Sequence, residues 1–213
     1  MQTKRGYFIT IEGVEGVGKT TNIETIKSFL DERGIQYQLT REPGGTVIAE
    51  KVRDLLLADH GENFSSEAEL LLIFAARAQH IAELIEPALA AGKWVICDRF
   101  TDATFAYQGG GRGLDRTHIE TLQLLVQGQL RPDLTILFDL DPAIGMERVA
   151  GRGEKDRFEA EQLEFFRRVR QTYLDIAAAE PDRCAVIDAA AELSEVQVQL
   201  RQLLALRLQP VLS

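Results

Sequence analysis

The sequence predicts an α/β fold in which a doubly wound parallel sheet is flanked by helices. Five apolar runs of strand length recur along the 213 residues, and segments with helical spacing separate them. Three of these runs are almost continuously apolar, which is typical of strands buried on both faces of a parallel sheet. A chain of this length can bury its own core, so we expect a single domain spanning residues 1–213.

The elements of the first half begin with a strand at 7–12, which a glycine-rich loop follows. Apolar residues three and four positions apart then predict a helix that ends near Gly34. After a second strand at 35–40, Ser66 and the glutamate three residues later form a capping-box pattern at the start of a long apolar helix. Pro87 is expected to interrupt or end that helix.

The second half alternates in the same way around strands at 94–98, 134–140 and 184–188. Asp141 and Pro142 are typical of an N-cap and a first helical residue, so a helix should follow the second of these strands. The remaining helices are predicted from Thr117, over about 160–179, and from Ser194.

The overall charge restricts the classes of partner. The net charge is -9 and the pI is about 5.0, which argues against a general nucleic-acid binder and against attachment to anionic membranes. No apolar run approaches the ~18 residues of a membrane span, and the first one is too short for a secretory signal. The only cysteines, Cys97 and Cys184, lie inside apolar runs. This placement favours buried thiols in a reducing compartment, so we expect a cytoplasmic protein.

The glycine-rich loop fits the phosphate-loop pattern of two glycines separated by four residues and followed by Lys and Ser/Thr. Its backbone N–H groups are expected to surround phosphate oxygens, with the positive end of the following helix dipole aimed at the same anion. Lys19 should reach the β- and γ-phosphates, and Thr20 should ligate Mg²⁺ with its hydroxyl. The residues predicted to bind the nucleoside triphosphate are Gly13, Val14, Glu15, Gly16, Val17, Gly18, Lys19, Thr20 and Thr21.

A second carboxylate for the metal is expected at the end of a neighbouring strand, and the sequence offers two. Asp98 ends the apolar run WVICD, whereas Asp139 lies inside LTILFDL. Both would face the ligand crevice at the carboxyl edge of a parallel sheet. We prefer Asp98, because its strand ends there and a loop follows.

The remaining motifs narrow the phosphate chemistry. The sequence has no Asn-Lys-x-Asp stretch of the kind that recognises guanine, and a motor would usually need more chain. Arginine forks suit phosphate oxygens, and arginines lie at several strand ends and loops, namely Arg41, Arg53, Arg77, Arg99, Arg112, Arg148, Arg152 and Arg157. Three hypotheses stay open: a kinase for a nucleoside monophosphate, a kinase for another small acceptor, and a nucleotide-dependent binding or switch protein.

Several stretches, in order along nearly the whole chain, resemble bacterial thymidylate kinases. They are IEGVEGVGKTT (11–21), TREPGGT (40–46), FAARAQH (74–80), DRFTDATFAYQGGGRGL (98–114), RPDLTILFDL (131–140) and GRGEKDRFE (151–159). The resemblance implies a P-loop kinase fold with a five-stranded parallel sheet, a short lid at about 150–160 and a homodimer. It also implies transfer of the γ-phosphate of ATP to thymidine monophosphate (dTMP), with Mg²⁺; the alternative is a kinase for another nucleoside monophosphate.

The same resemblance implies which residues act on the phosphates. Glu15 would face a sugar hydroxyl of the acceptor. The loop itself carries no arginine, and family members of this kind use basic residues of the lid instead, here Arg152 and Arg157, with Lys155 a weaker candidate. Together with Lys19 and Arg99, these two arginines form the implied catalytic set.

The acceptor pocket is also implied by the resemblance. Arg99 would hold the acceptor phosphate, and Arg53, on the helix after EPGGT, would be a second contact, while Pro43 would shape the EPGGT loop. Arg77 would read a carbonyl of the base. Four further residues complete the set: Phe74 would stack on the base, with Ile73 an alternative because it lies four residues before Arg77; Thr104 and Gln108 would bond the base edge; and Tyr107 would pack on the deoxyribose.

Overall fold

The computed structural model describes residues 5–150, 157–159 and 161–212. Five strands alternate with helices along the chain, as the apolar runs indicate. The elements are β1 (Phe8–Glu12), α1 (Lys19–Asp31), β2 (Tyr37–Arg41), α2 (Val47–Leu57), α3 (Ser66–His80), a π-helical segment (Ile81–Ile85), α4 (Glu86–Ala90), β3 (Trp94–Asp98), α5 (Thr101–Thr104), a second π-helical segment (Phe105–Gly111), α6 (Arg116–Gln127), β4 (Leu134–Asp139), α7 (Pro142–Val149), α8 (Leu163–Ala179), β5 (Cys184–Asp188) and α9 (Leu193–Leu212).

The strands form one parallel sheet in the order β2-β3-β1-β4-β5, which confirms the doubly wound prediction. The chain starts in the central strand and builds outward in both directions, so a crevice opens beside β1 at the carboxyl edge. Asp98 at the end of β3 is in register with Ile11 of β1 on one side and with Arg41 of β2 on the other. The loops that follow β1, β2 and β3 therefore meet at one edge of the sheet.

The core covers both faces of the sheet, which explains why the central strands read as continuous apolar runs. On one face Ile11, Ile96 and Ile136 join a large cluster with residues of the flanking helices. On the other face Val95 and Cys97 join a smaller cluster. Cys97 and Cys184 are free and buried, and burial raises the pKa of both thiols.

The long helix differs from its prediction at its start. Its N-cap is Ser65, whose side chain accepts a hydrogen bond from the Ala68 N–H, so the Ser66 capping box is wrong by one residue. The glutamate of that pattern, Glu69, is buried and bonds side chains elsewhere. Of the two outcomes expected at Pro87, the helix is interrupted and not ended: a π-helical segment precedes the proline, which falls within the first two residues of α4, where its missing N–H is tolerated.

The segment after β3 is helical, where the sequence predicted a loop. α5 and the second π-helical segment run from Thr101 to Gly111. Side chains at two of the three consecutive glycines would collide with α8: a Cβ on Gly110 would meet Thr172, and one on Gly111 would meet Phe165. These glycines are therefore close-packing positions within a helix rather than signs of a flexible loop.

Candidate active site

A cavity of about 300 Å³ lies at the carboxyl edge of β1, β2 and β3, a size typical of small-molecule sites. It brings together most of the residues that the sequence singled out. Its lining is Glu15, Gly16, Val17, Gly18, Lys19, Thr20, Thr21, Glu42, Pro43, Arg53, Leu57, Ile73, Arg77, Asp98, Arg99, Phe100, Ala103, Thr104, Tyr107, Gln108, Val149, Phe158 and Glu159.

The phosphate loop has the conformation that its glycines predict. Gly16 has a φ of 75°, and a Cβ there would overlap the carbonyl of Gly145 in α7, so the loop backbone rests directly on that helix. Lys19 donates to the carbonyls of Gly13 and Val14 at 3.1 Å each. The pKa of Lys19 is lowered to about 8, first by burial and then by the nearby Arg99, while the surrounding carboxylates oppose this lowering. An anion at this position would stabilise the charged ammonium.

The two candidate metal carboxylates are in different environments. Both oxygens of Asp139 accept from Arg170, at 2.7 and 2.8 Å, so this side chain is held in a bidentate ion pair. Asp98 lines the cavity, and its Oδ1 is a buried acceptor with no partner among the described residues. A carboxylate and the Thr20 hydroxyl lining one cavity suit Mg²⁺, which keeps several waters and takes the rest of its ligands from phosphates.

Glu15 in the phosphate loop is bonded to two side chains of the acceptor half. Arg99 Nη2 donates to Glu15 Oε1 at 2.9 Å, and the Tyr107 hydroxyl lies 2.8 and 2.9 Å from the two carboxylate oxygens. The Arg99 guanidinium also lies over the Tyr107 ring, 4.8 Å from its centroid. These contacts join the donor loop to the segment that follows β3.

The backbone at Arg99 is held in a conformation that few residues adopt. Arg99 has a φ of 68°, in the left-handed region. The next N–H, of Phe100, donates to Glu12 Oε1 at 2.7 Å, and the Tyr173 hydroxyl donates to Glu12 Oε2 at 2.7 Å. Burial raises the pKa of Glu12 to about 7, with Asp102 adding to the rise. The buried carboxylate of Glu12 thus fixes the turn that aims Arg99 at the loop.

Arg77 is a buried cation on the cavity wall. Its Nε donates to Glu42 Oε2 at 2.7 Å, and its Nη2 donates to the Phe100 carbonyl and to Thr104 Oγ1 at 3.1 and 2.9 Å. Its Nη1 is buried and has no partner among the described residues. A buried unpaired guanidinium nitrogen is costly, so this donor suits an acceptor atom on a ligand in the cavity.

The predicted stacking residue has a different place. Phe74 is 2% exposed and packs in the core, whereas Ile73 lines the cavity. The helix turns by about 100° between neighbours, so only one of the two can face the ligand. Phe74 instead lies behind Arg77, with its ring centroid 4.8 Å from the guanidinium carbon. A stacking role for Phe74 does not fit this placement, and the wall at this point is aliphatic.

The loop after β2 supplies the predicted Pro43 and Arg53 contacts. Arg53 in α2 donates to the Pro43 carbonyl at 2.9 Å, and both residues line the cavity. The helix that carries Arg53 has Thr46 as its N-cap, and the Thr46 hydroxyl accepts a hydrogen bond from the Ala49 N–H. Capping and the short loop therefore bring a guanidinium from α2 to the cavity.

The lid residues fall largely outside the described part of the chain, including Arg152 and Lys155. Arg157 is described and does not line the cavity. Its Nη2 lies 2.6 Å from Glu69 Oε2, and its Nε donates to the Leu56 carbonyl at 3.0 Å. Gln108 Nε2 donates to the same glutamate at 2.8 Å. In this conformation Arg157 is held by α2 and α3, away from the phosphate loop.

Comparison with known proteins agrees with this geometry. The family model for thymidylate kinase matches residues 11–200. The chain belongs to the thymidylate kinase family. The thymidylate kinase of Pseudomonas syringae pv. tomato (strain DC3000) is 58% identical over 199 residues, which cover 93% of this chain and 95% of that protein. That of Pseudomonas putida (strain GB-1) is 56% identical over the same lengths. A crystal structure of thymidylate kinase from Ehrlichia chaffeensis has a TM-score of 0.74 at 37% identity, covering 94% of this chain and 99% of that one.

Membership of the thymidylate kinase family makes the chain a nucleoside monophosphate kinase with a P-loop kinase fold. Among the described residues, none of the helices combines the length and apolar character that a bilayer crossing requires. In the same part of the chain no group of three or more His, Cys, Asp or Glu side chains could hold a metal ion.

Several buried acids near the site were not predicted from the sequence. Glu12, Glu42 and Glu69 each hold a side chain or turn that faces the cavity. The spacing of Arg77 and His80 on one helix face was a usable signal for a shared partner, although it does not say which carboxylate they share.

Proposed function

We propose that this chain transfers the γ-phosphate of ATP to dTMP and releases thymidine diphosphate and ADP. The observation that carries the proposal is that one cavity contains both a phosphate loop and a buried arginine with an unpaired donor. The family adds the identity of the acceptor. The transfer is direct, because positioning and charge neutralisation suffice and no enzyme nucleophile is required.

On the donor side, the loop from Gly13 to Gly18 would surround the phosphates of ATP, and Lys19 would contact the β- and γ-phosphates. Thr21 would lie near the α-phosphate. Thr20 and Asp98 would hold Mg²⁺, which would offset the negative charge of the phosphates. The unpaired Oδ1 of Asp98 supports its role over that of Asp139.

On the acceptor side, Arg99 and Arg53 would bind the phosphate of dTMP, with Pro43 between them. Glu15 would accept from a sugar hydroxyl, and Tyr107 would pack on the deoxyribose, as their mutual hydrogen bond supports. Both phosphates would then lie in line within one cavity.

For the base, Arg77 Nη1 would donate to the carbonyl at position 4, and Thr104 would fix the Arg77 fork. Gln108 donates its amide N–H to Glu69, which leaves its carbonyl to accept from the imide N–H of thymine. Ile73 would give one apolar side to the ring. A donor and an acceptor in this order match thymine and uracil and oppose cytosine.

Arg152 and Arg157 would reach the transferring phosphoryl group when the lid closes and excludes water. This requires Arg157 to leave Glu69 and the Leu56 carbonyl. We further propose that the protein acts in the cytoplasm as a homodimer. We also propose that it binds neither nucleic acid nor membranes, and its acidic net charge supports both of these absences.

The test is a coupled assay that measures ADP release with each of dTMP, dUMP, dCMP, dGMP and AMP as acceptor, with and without Mg²⁺. We expect the highest kcat/KM for dTMP and no turnover after chelation of Mg²⁺. A higher kcat/KM for another monophosphate would assign the kinase to that acceptor. ATP binding without transfer to any monophosphate would favour a binding or switch protein.

A further inference from the structure

A buried chain of hydrogen bonds connects β2 to the base-reading end of the cavity. His80 Nδ1 lies 2.9 Å from Glu42 Oε1, and His80 Nε2 lies 2.7 Å from Thr40 Oγ1. The other oxygen of Glu42 accepts from Arg77 Nε at 2.7 Å. His80 is fully buried and Thr40 is 8% exposed, the most of the four, so water does not compete for these contacts.

The hydrogen bonds at Glu42 have a definite direction. A carboxylate oxygen accepts, so His80 donates from Nδ1 to Glu42 Oε1, and its other ring nitrogen, Nε2, shares a hydrogen bond with the Thr40 hydroxyl. Each carboxylate oxygen then has its own donor. Glu42 cannot turn to offer both oxygens to Arg77, although paired forks are the geometry that arginine and carboxylate favour.

The orientation of Arg77 depends on this restriction. With only Nε engaged by Glu42, Nη2 reaches the Phe100 carbonyl and Thr104, and Nη1 is left for a ligand in the cavity. A Glu42 carboxylate released from His80 would draw the guanidinium toward itself and away from those two contacts.

The loop after β2 closes over the same hydrogen bonds. Gly45 has a φ of 87°, and a Cβ on it would overlap both His80 Nε2 and Thr40 Oγ1. The backbone of the loop that carries Pro43 therefore covers the imidazole directly. His80 touches the supports of two parts of the acceptor pocket and does not line the cavity itself.

We propose that His80 is a positioning residue for recognition of the acceptor base, acting through Glu42 on Arg77. The proposal rests on the proposed function, because it assumes that Arg77 binds the carbonyl at position 4 of dTMP. Under this proposal His80, which does not contact the substrate, contributes to the preference for an acceptor with that carbonyl.

The experiment compares His80→Leu with His80→Asn in the full chain. Asn and Leu have similar shapes, but only Asn can donate to Glu42 from the position of Nδ1. Two acceptors are used, dTMP and its 4-thio analogue, in which sulfur, a weaker acceptor, replaces the carbonyl oxygen that Arg77 would bind. His118→Leu is the control, because His118 is an exposed histidine on α6.

For wild-type protein we expect a KM for 4-thio-dTMP about 10-fold above that for dTMP, which is about 1.4 kcal/mol. In His80→Leu the KM for dTMP should rise about 10-fold and the ratio of the two KM values should fall toward one. The kcat and the KM for ATP should change by less than about threefold. His80→Asn and His118→Leu should keep the wild-type ratio.

A wild-type ratio in His80→Leu would overturn the inference alone, as would a His80→Asn protein that behaves like His80→Leu. If His80→Leu does not give folded protein by circular dichroism, Thr40→Val replaces it and should lower the ratio about threefold; an unchanged ratio again overturns the inference. Wild-type protein that does not phosphorylate dTMP overturns the proposed function, and the inference with it.

Discussion

Replacing Gly145 by alanine should displace the phosphate loop, because the added methyl group would push on the loop backbone from α7. Gly145 is in α7, and a Cβ there would lie about 1 Å inside the ~3.3–3.6 Å that a carbon and a carbonyl oxygen normally keep, because it points at the backbone oxygen of Glu15. The obstacle is backbone, so no side-chain rotation can relieve it. The carbonyl of Glu15 must move by about that distance, one residue before Gly16.

Two effects of opposite sign compete in this variant. Alanine is favoured over glycine inside a helix by about 1 kcal/mol, whereas overpacking costs about 1–3 kcal/mol. We expect the steric cost to exceed the gain in helix propensity. The net result should be a loss of about 1 kcal/mol of unfolding free energy and a Tm lower by about 2–4 °C for a chain of this size. Because a shift of about 1 Å in a catalytic loop can cost about 10²-fold in rate, kcat should fall much more than the stability.

The assay measures kcat and KM for ATP and dTMP beside a thermal unfolding curve. Ile144→Ala is the matched control, since Ile144 is an exposed neighbour on the same helix, and it should keep the wild-type kcat. A Gly145→Ala protein with a raised Tm and an unchanged kcat would refute the reasoning, because propensity would then have decided the outcome.

Three further predictions concern the phosphates and the metal. Asp98→Asn should raise the Mg²⁺ concentration needed for half-maximal activity about 10- to 100-fold, whereas Asp139→Asn should leave it unchanged. The same half-maximal Mg²⁺ concentration in both variants would contradict the assignment of Asp98 to the metal. The pKa of Lys19 is about 8 in the nucleotide-free chain, so ATP binding above that pH must be accompanied by uptake of a proton. The Kd for ATP, measured by calorimetric titration, should therefore rise up to about 10-fold per pH unit beyond 8. The Lys19→Arg variant should lose this pH dependence. Arg157→Ala and Arg152→Ala should each lower kcat, by up to about 10³-fold, with little change in ATP affinity; unchanged turnover in both would refute the lid assignment.

The strands were the most predictable part of the fold. Residues 94–98 and 184–188 have the predicted bounds, and the other strands differ by two residues or fewer, because burial on both faces leaves an apolar run that ends where the sheet ends. The N-cap at Asp141 was also readable, since capping involves residues only two positions apart. The helix over 101–111 was not, because its glycines reflect packing against α8.

Within the site, residues of a contiguous motif could be predicted from the sequence, whereas contacts between residues far apart in the sequence could not. The phosphate loop is a contiguous motif, so its residues could be read directly. Whether Phe74 or Ile73 faces the cavity depends on the rotation of α3, and both residues are apolar. The contact of His80 with Glu42 joins residues 38 apart, and nothing in either local sequence indicates which carboxylate a buried histidine will meet.

Because Arg99 is already bonded to Glu15, binding of the acceptor phosphate to Arg99 replaces one ion pair with another. Before a monophosphate arrives, the guanidinium already has a carboxylate, and that carboxylate already has the Tyr107 hydroxyl. An incoming phosphate competes with an anion of the protein itself, so the measured affinity reflects the difference between the two charged pairs and is weaker than the phosphate pair alone would give. Under the proposed function, the same competition would help to expel the diphosphate product, because Glu15 can reclaim Arg99 as the product leaves.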